Sequence, residues 1–353
     1  MEDLAEARVW RAKVFDAGFG WLGGPPDLGG AGRSPLLDEE YRQLELGFDV
    51  PSQNIFSSAM SLVAPSILAY GSADVKMRFL PGMFRGDILC CQLLSEPDFG
   101  SDLAGIGTRA VRDGDDWIVT GQKVWSSYAH LAEAGQLLAR TNPDVEKHQG
   151  LTMFIIDMKS PGVEVKPLRQ MTGDYHFNEI FLSEVRVPDR NRVGAPGEGW
   201  RAVQATLMSE RHAVASGATN PGPDPVERLR QLASRQGLAG DPRVRQDLAR
   251  IYINAEILRL LNLHKAEMLR TGQALGAEGS IAKLANARQA HMIGEVASRL
   301  LGPALTADIG EWGTYAWSRW VTGAPHRRIA GGTDEIQHNI LAERVLGLPR
   351  DPK

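Results

Sequence analysis

The chain has 353 residues, 43% of them hydrophobic, which is enough for two or three packed units. Its net charge of −4, from 39 basic and 43 acidic residues, argues against nonspecific nucleic-acid binding as its main role. No apolar run of about 18 residues predicts a membrane span, and the charged N-terminus lacks the apolar segment of a signal peptide. The only cysteines, Cys90 and Cys91, are neighbours without a predicted metal partner, so we expect a reducing, cytoplasmic location.

The first part of the sequence, residues 1–87, is predicted to form an N-terminal helical domain. One helix is expected after Ser34, a possible cap that precedes Pro35 and a first turn rich in acids. The segment "SADVKMRFLPGMFRG" predicts a short helix that ends at Pro81-Gly82, because proline and glycine together favour a turn.

The pattern changes over residues 88–193. The runs "DWIVTGQKVW" and "LTMFIIDM" are rich in β-branched and aromatic residues, and "FNEIFLSEVRVP" alternates apolar and polar residues. Turn sequences such as Asp113-Gly114 separate these runs. They predict a middle antiparallel β domain, which we expect to be barrel-like.

Helical patterns return over residues 194–353. Three segments, "GEGWRAVQATLMSERHAVASG", "RVRQDLARIYINAEILRLLNLHKAEMLR" and "GSIAKLANARQAHMIGEVASRLLG", exceed the usual helix of about 11–12 residues. They predict a C-terminal four-helix bundle, with a loop and a short helix in the proline-rich segment 219–242. The order of helical, β and helical regions predicts a multi-domain α+β protein, and it fits a Rossmann unit poorly.

Three short motifs occur in order along the chain. "LSEPDFGSD" begins at Leu94 and is an irregular loop, either an ordinary surface turn or a set of backbone N–H groups facing a phosphate or a flavin edge. "GQKVWSS" ends a predicted strand, where Trp125 either packs in the protein or forms a platform for a cofactor. "IAGGTDEIQHNILAERVLG" places adjacent glycines, Gly331 and Gly332, before a predicted helix.

Together these motifs resemble those of the acyl-CoA dehydrogenase family, namely T/S-E-P-x-x-G-S-D, G-x-K-x-W-I-T and Y-E-G-T-x-x-I-Q. The resemblance covers nearly the whole chain and implies the same three-domain order. It implies that the protein binds FAD, removes hydrogen from Cα and Cβ of an acyl-CoA, and passes electrons to an electron-transfer flavoprotein. It also implies a dimer or tetramer, and neither nucleic acid nor membrane is expected as a partner.

The resemblance also implies which residues contact FAD. Trp125 would pack on the flavin face away from substrate, and the hydroxyl of Ser127 would replace the threonine that usually lies near flavin N5. The implied cofactor contacts are Gln92, Leu94, Ser95, Gly100, Ser101, Trp125, Ser126, Ser127, Thr333 and Glu335.

The catalytic base is the main question that the motifs leave, because Gly331 occupies the position where many family members carry glutamate. In "AVQATLMSERHAVASG", Val203, Leu207, Glu210 and Val214 are spaced four, three and four residues apart and share one helix face. Glu210 is therefore predicted to point inward, where partial desolvation raises the pKa of a carboxylate and suits it to act as a general base.

The alternative is a structural glutamate that pairs with a buried arginine, such as Arg211 or Arg299. The resemblance favours the functional interpretation, since one branch of the family carries its base on this helix, in a Glu-Arg pair that matches Glu210-Arg211. Members of that branch, including isovaleryl- and long-chain-type enzymes, have glycine or alanine at the other position. Several bacterial members implicated in degrading sterol side chains are also similar to this sequence.

The glycine pair is then expected to act through its backbone. The N–H of Gly331 would hold the thioester oxygen, and Gly332 would let the chain pass close to the ligand. Thr333 would cap the following helix, with acidic residues favourable at its start, although a plain glycine-rich helix start is the simpler alternative. Ser101, Met208 and Arg211 are the further implied substrate contacts.

Two family features are missing. The stretch R-x-x-F-G is not recognisable in "ASRQGLAGDPRV", and the stretch Gln-x-x-Gly-Gly corresponds here to "RLLGPAL". In the family both hold the adenine half of FAD across a subunit interface, so FAD would be bound weakly, bound by other residues or bound with an unlike partner chain. Three hypotheses stay open: an active dehydrogenase, a non-catalytic subunit of a heteromer, and a flavin oxidase or monooxygenase on the same fold.

Overall fold

A computed structural model describes residues 2–45, 47–216, 224–271, 273, 276–277, 279–306 and 314–350 of the chain. The side chains of residues 2–3, 39, 210–216, 269 and 314–315 are not among the described atoms. The chain divides into two compact units: unit 1 comprises Met1–Gln170 and Tyr175–Glu210, and unit 2 comprises Met171–Asp174 and Arg211–Lys353.

The described residues form both helices and strands. The helices are α1 (Glu2–Asp16), α2 (Leu36–Glu45), α3 (Ala64–Tyr70), α4 (Ala73–Arg85), α5 (Gly199–Ser216), α6 (Pro225–Arg235), α7 (Pro242–Arg270), α8 (Gly279–Leu301), α9 (Thr314–Gly323) and α10 (Asp334–Arg344). The strands are β1 (Cys90–Leu93), β2 (Arg109–Asp113), β3 (Asp116–Ser127), β4 (Ala134–Arg140), β5 (Leu151–Asp157), β6 (Val163–Leu168), β7 (Phe177–Pro188) and β8 (Arg192–Val193).

The helical N-terminal region is confirmed, with one boundary corrected. Helix α2 begins at Leu36, whose N–H donates to Ser34 Oγ at 3.3 Å, as predicted. The prediction that the next helix ends at Pro81-Gly82 is wrong, because α4 continues through Pro81 to Arg85. A proline inside a helix removes one backbone hydrogen bond, and the burial of Leu80 and Met83 in the core of unit 1 offsets that loss.

The β region forms one sheet with strand order β6-β7-β3-β2-β4-β5-β8, and β1 pairs with β4. The strands predicted from "DWIVTGQKVW", "LTMFIIDM" and "FNEIFLSEVRVP" are confirmed as β3, β5 and β7. The sheet is mixed rather than purely antiparallel, because β1 and β2 both pair with β4 in parallel. Strand β4 is buried on both faces, which explains why its sequence shows no alternation.

Two of the three long helices predicted for the C-terminal region, α7 and α8, lie in unit 2, whereas α5 belongs to unit 1 up to Glu210. The core of unit 2 contains Leu229 of α6, Ile251 of α7, Ile293 of α8 and Trp317 of α9, so these four helices share one apolar centre. The predicted domain limits, residues 1–87, 88–193 and 194–353, stay a prediction. Across the residues that the structure describes, no helix combines the length and the apolar content needed to cross a bilayer.

Candidate functional site

The first two motifs are joined in unit 1. The carbonyl of Leu94 accepts a hydrogen bond from Lys123 Nζ at 2.9 Å, and the carbonyl of Ser95 accepts one from Val124 N at 2.9 Å. Because a trans peptide is planar, with C=O and N–H pointing in opposite directions, the N–H of Ser95 points away from Lys123. The loop that begins at Leu94 is therefore fixed beside the strand that leads to Trp125.

A buried ion pair joins the loop to the strand at this junction. Lys123 Nζ lies 2.9 Å from Glu96 Oε1, and the Glu96 carboxylate also accepts hydrogen bonds from Gly107 N at 2.7 Å and Thr108 N at 2.9 Å. Burial lowers the pKa of Lys123 to about 8, although Glu96 acts in the opposite direction. Burial also tends to raise the pKa of Glu96, but the charge of Lys123 and the hydrogen bonds lower it overall.

Sequence reasoning missed this pair. A lysine is rarely expected inside a protein unless it is paired. The partner of Lys123 is Glu96, which is remote in sequence and belongs to the "LSEPDFGSD" motif. The lysine in the family pattern G-x-K-x-W-I-T, which corresponds to Lys123 here, was the available signal.

A β-bulge presents Trp125. Lys123 pairs with Ile180 and Ser126 pairs with Asn178, so strand β3 carries one extra residue relative to β7. Trp125 has φ of 62°, an uncommon value for a bulky residue, and its side chain is 60% exposed. The buried Asn178 holds the bulge by donating from Nδ2 to Ser126 O at 2.9 Å. The indole is therefore held on the surface of unit 1 as a flat, exposed platform.

Two buried polar side-chain atoms lie on β1 and β3. Within the described part of the chain, neither Gln92 Nε2 nor Ser126 Oγ has a hydrogen-bond partner. Most buried polar groups are paired, so two unpaired groups on predicted cofactor residues fit a ligand with a polar edge. Gly100 and Ser101 are exposed, and a Cβ added at Gly100 would meet no described atom within 4 Å. The loop thus leaves open space for a ligand beside its backbone.

The first half of the face predicted for helix α5 is buried as expected, whereas the side chains of Glu210 and Val214 lie outside the described atoms. Val203 is fully buried in the core of unit 1, and Leu207 packs against that core. Glu210 and Arg211 lie in the last part of α5, and their side chains are outside the described atoms. Met208 is partly exposed. The alternative that made Arg299 a buried partner is wrong, since its side chain is 63% exposed and pairs with Asp247 at 2.6 Å.

The glycine pair in unit 2 forms a turn that only glycine tolerates well. Gly331 has φ of 71° and Gly332 has φ of 92°, and a Cβ at Gly332 would lie 2.5 Å from Gln337 Nε2. Gln337 is fully buried, and its Nε2 donates to Gly331 O at 2.8 Å and to Gly332 O at 3.2 Å. Peptide planarity therefore directs the N–H groups of Gly332 and Thr333 away from Gln337.

The start of helix α10 is stabilised as predicted. Thr333 Oγ1 accepts a hydrogen bond from Ile336 N at 3.3 Å, which confirms Thr333 as the cap. The pKa of Glu335 is lowered, first by its own backbone N–H and then by the Thr333 hydroxyl.

The sequence did not predict a further ion-pair cluster that supports this turn. Asp334 binds the buried Lys283 at 3.1 Å and Arg328 at 2.7 Å. Burial tends to raise the pKa of Asp334, but hydrogen bonds from Arg328 and Lys283 lower it overall. Asp334 therefore joins α8 and the segment before the glycines to the first turn of α10.

Comparison with known proteins supplies the family. Residues 91–185 match the model of the acyl-CoA dehydrogenase middle domain, and residues 197–346 match that of the C-terminal domain. The acyl-CoA dehydrogenase IpdE1 of Mycobacterium tuberculosis is 37% identical over 356 residues, spanning 100% of this chain and 90% of that protein.

Two solved structures share the fold. One, described as the Tcur3481-Tcur3483 steroid ACAD, has a TM-score of 0.83 and 27% identity, with 98% of this chain and 89% of that chain covered. The ChsE4-ChsE5 complex from Mycobacterium tuberculosis has a TM-score of 0.80 and 33% identity, with 98% and 90% covered. The identity and coverage of these relatives, together with the two matching domains, show that this chain belongs to the acyl-CoA dehydrogenase family of oxidoreductases.

Proposed function

We propose that this chain is an FAD-dependent acyl-CoA dehydrogenase that converts an acyl-CoA thioester to the trans-2-enoyl-CoA, with Glu210 as the catalytic base. The observation that carries the proposal is the packing of α5. Its residues Val203, Thr206 and Leu207 face the core of unit 1, and position 210 continues that face by helical periodicity. The acid that many family members carry at position 331 is replaced by glycine, so a base is required elsewhere.

The residues of unit 1 fit FAD. Gln92 and Ser126 offer buried polar atoms without protein partners, the N–H of Ser95 is directed away from Lys123, and Trp125 offers an exposed aromatic face. Ser127 would supply a hydroxyl beside the flavin, and Gly100 and Ser101 would lie by the pyrophosphate. When bound, FAD supplies the acceptor for the hydrogen that leaves Cβ as a hydride.

The chain itself provides proton transfer and charge stabilisation. Glu210 would remove the Cα proton, and the N–H of Gly331 would donate to the thioester oxygen, where negative charge develops as the proton leaves. Fixing Cα against the carboxylate supplies the orientational part of the rate. Gly332 would allow the thioester to approach the backbone, and Ser101, Met208 and Arg211 would contact the CoA portion.

The acyl group is expected to be bulky. One structure with the same fold is described as a steroid ACAD, which supports a sterol-derived or branched acyl-CoA as the substrate class. We expect the electrons to pass to an electron-transfer flavoprotein and the enzyme to be cytoplasmic.

The direct test is to mix the purified yellow protein anaerobically with straight-chain, branched and sterol-derived acyl-CoA thioesters and to follow flavin absorbance. We expect at least one thioester to bleach the wild type while Glu210→Gln is not reduced. Glu256→Gln, at a half-buried glutamate paired with Arg259 on α7, is the control and should bleach normally. Equal bleaching of wild type and Glu210→Gln would reject Glu210 as the base. Rapid reaction of the reduced enzyme with air while product is bound would favour an oxidase instead.

A second candidate function is that of one subunit in an assembly of two unlike chains. The missing R-x-x-F-G stretch supports it, and so does the 33% identity to a structure described as a ChsE4-ChsE5 complex. The alternative is a homodimer or homotetramer. FAD content of the chain purified alone separates the two: stoichiometric FAD favours the homo-oligomer, whereas FAD retained only after co-expression with an unlike homologous chain favours the heteromer.

A further inference from the structure

Strand β4 contains a polar side chain where an apolar one is expected. Gln136 is fully buried, and its neighbours Gly135 and Leu137 are buried as well. Burying an amide costs free energy unless its hydrogen bonds are made. Leucine or methionine fills a similar volume without that requirement, so a glutamine here needs a specific explanation.

Gln136 joins three elements of unit 1 at one point. Its Nε2 donates to Ser66 Oγ on α3 at 2.6 Å and to Thr206 Oγ1 on α5 at 3.1 Å. The Thr206 hydroxyl also lies 3.4 Å from Gln136 Oε1, which can accept from it, and Gln136 Nε2 contacts Met153 Sδ at 3.3 Å. Ser66 and Thr206 are fully buried too. The network therefore excludes water and ties α5 and α3 to the sheet through directional bonds.

This network lies between two parts of the proposed site. Gln92, a predicted flavin contact, is the register partner of Gln136 on the adjacent parallel strand, so both side chains lie on the same face of the sheet. Thr206 precedes Glu210 by four residues, which is about one helical turn and about 6 Å along the axis of α5. Gln136 thus lies next to the strand that would hold the flavin and is bonded to the helix that bears the proposed base.

We propose that Gln136 is a positioning residue: through Thr206 it fixes the register and rotation of α5 relative to β1, and so fixes where position 210 meets the substrate. This inference rests on the proposed function of Glu210. The other contacts of α5 with the core, such as those of Val203 and Leu207, are apolar and do not specify direction. A hydrogen bond has a narrow range of distance and angle, and a displacement of about 1 Å at a reacting group lowers a rate roughly 100-fold.

The test compares Gln136→Met with Gln289→Met. Gln289 is a matched control in unit 2, a buried glutamine that donates to Ile251 O at 3.1 Å and accepts from Asn254 Nδ2 at 2.8 Å. Both variants lose a buried amide network, but only the first network includes α5. We expect Gln136→Met to lower kcat roughly 10- to 100-fold with KM within threefold of wild type and FAD stoichiometry unchanged. We expect Gln289→Met to keep its kcat.

Thr206 provides a second pair of variants if Gln136→Met does not fold. Thr206→Val keeps the shape and loses the hydroxyl, so kcat should fall as in Gln136→Met, whereas Thr206→Ser keeps the hydroxyl and should restore kcat to within threefold of wild type. The urea midpoints of Thr206→Val and Gln136→Met should also shift non-additively in the double variant, because both remove the same bond. That measurement needs no enzymatic turnover.

Two results would overturn the inference. The first is a kcat for Gln136→Met or Thr206→Val equal to that of Gln289→Met, and the second is additive shifts in the urea midpoints. Glu210→Gln distinguishes this failure from failure of the proposed function. If Glu210→Gln is inactive and the Gln136 and Thr206 variants are fully active, only the positioning role is wrong. If Glu210→Gln is active, the proposed base is wrong.

Discussion

Replacing Lys123 with methionine tests the buried junction that joins the two motifs of unit 1. Lys123 is fully buried, and its Nζ lies 2.9 Å from both Glu96 Oε1 and Leu94 O. The Lys123→Met variant leaves the Glu96 carboxylate buried with two backbone donors and no counter-charge. Removing one partner of a buried pair typically lowers the free energy of unfolding by about 3–5 kcal/mol, and we expect a loss in that range.

A matched control separates this effect from the loss of a surface charge. Lys166 forms an ion pair with Glu164 at 3.1 Å, but its side chain is 55% exposed, so Lys166→Met should cost about 0–1 kcal/mol. Adding Glu96→Gln to Lys123→Met removes the uncompensated charge and should recover most of the loss. The free energy of unfolding is measured by urea titration followed by far-UV circular dichroism. FAD content is measured on the same samples.

We expect FAD affinity to fall in Lys123→Met as well, because Lys123 fixes the carbonyl of Leu94 and thereby the direction of the Ser95 N–H. The reasoning is refuted if Lys123→Met is no more destabilising than Lys166→Met. It is also refuted if Lys123→Met and its double variant with Glu96→Gln are equally unstable, since the loss would then not come from a buried unpaired carboxylate.

Two further predictions concern the glycine turn and the cysteines. Gly332→Ala should destabilise unit 2 by about 1–3 kcal/mol, because φ at Gly332 is 92° and the new Cβ would lie 2.5 Å from Gln337 Nε2. In the control variant Gly240→Ala, the new Cβ meets no described atom within 4 Å, so this variant should be close to neutral in the same urea titration. Cys90 and Cys91 are buried, and burial raises the pKa of both thiols, that of Cys91 to about 12. Ellman's reagent at pH 8 should therefore label neither thiol before denaturation. The unfolded chain releases its thiol protons above about pH 9, whereas the folded protein keeps them to higher pH. The contribution of the thiols to the free energy of unfolding is therefore complete below about pH 9 and declines as the pH rises toward 12. Labelling of the folded protein, or a free energy of unfolding that increases over that pH range, would contradict this.

Features with a local cause were predictable from the sequence. The spacing of Val203 and Leu207 predicted the buried face of α5, and the Thr333 hydroxyl followed by acidic residues predicted the cap of α10. Alternation in "FNEIFLSEVRVP" predicted strand β7. In each case the residues that determine the structure lie within a few positions of one another.

Features that depend on distant contacts were not predictable. Helix α4 continues through Pro81 because core packing outweighs one lost hydrogen bond, and no local pattern reports that balance. The bulge at Trp125 arises from the register with β7, and the pairing of Lys123 with Glu96 requires the loop and the strand to meet. The parallel pairing of β1 with β4 is likewise a property of the whole sheet.

Proton removal at Cα is the step on which the proposed function depends, and it can be observed without redox chemistry. A thioester analogue with sulfur in place of Cβ has a Cα proton to lose and no Cβ hydride to give. Incubated in D₂O with the enzyme, it reports proton removal as loss of the Cα proton signal by NMR. We predict rapid exchange with the wild type and with Glu256→Gln, and none above the uncatalysed rate with Glu210→Gln. Exchange by Glu210→Gln at the wild-type rate would contradict the assignment of the base to helix α5.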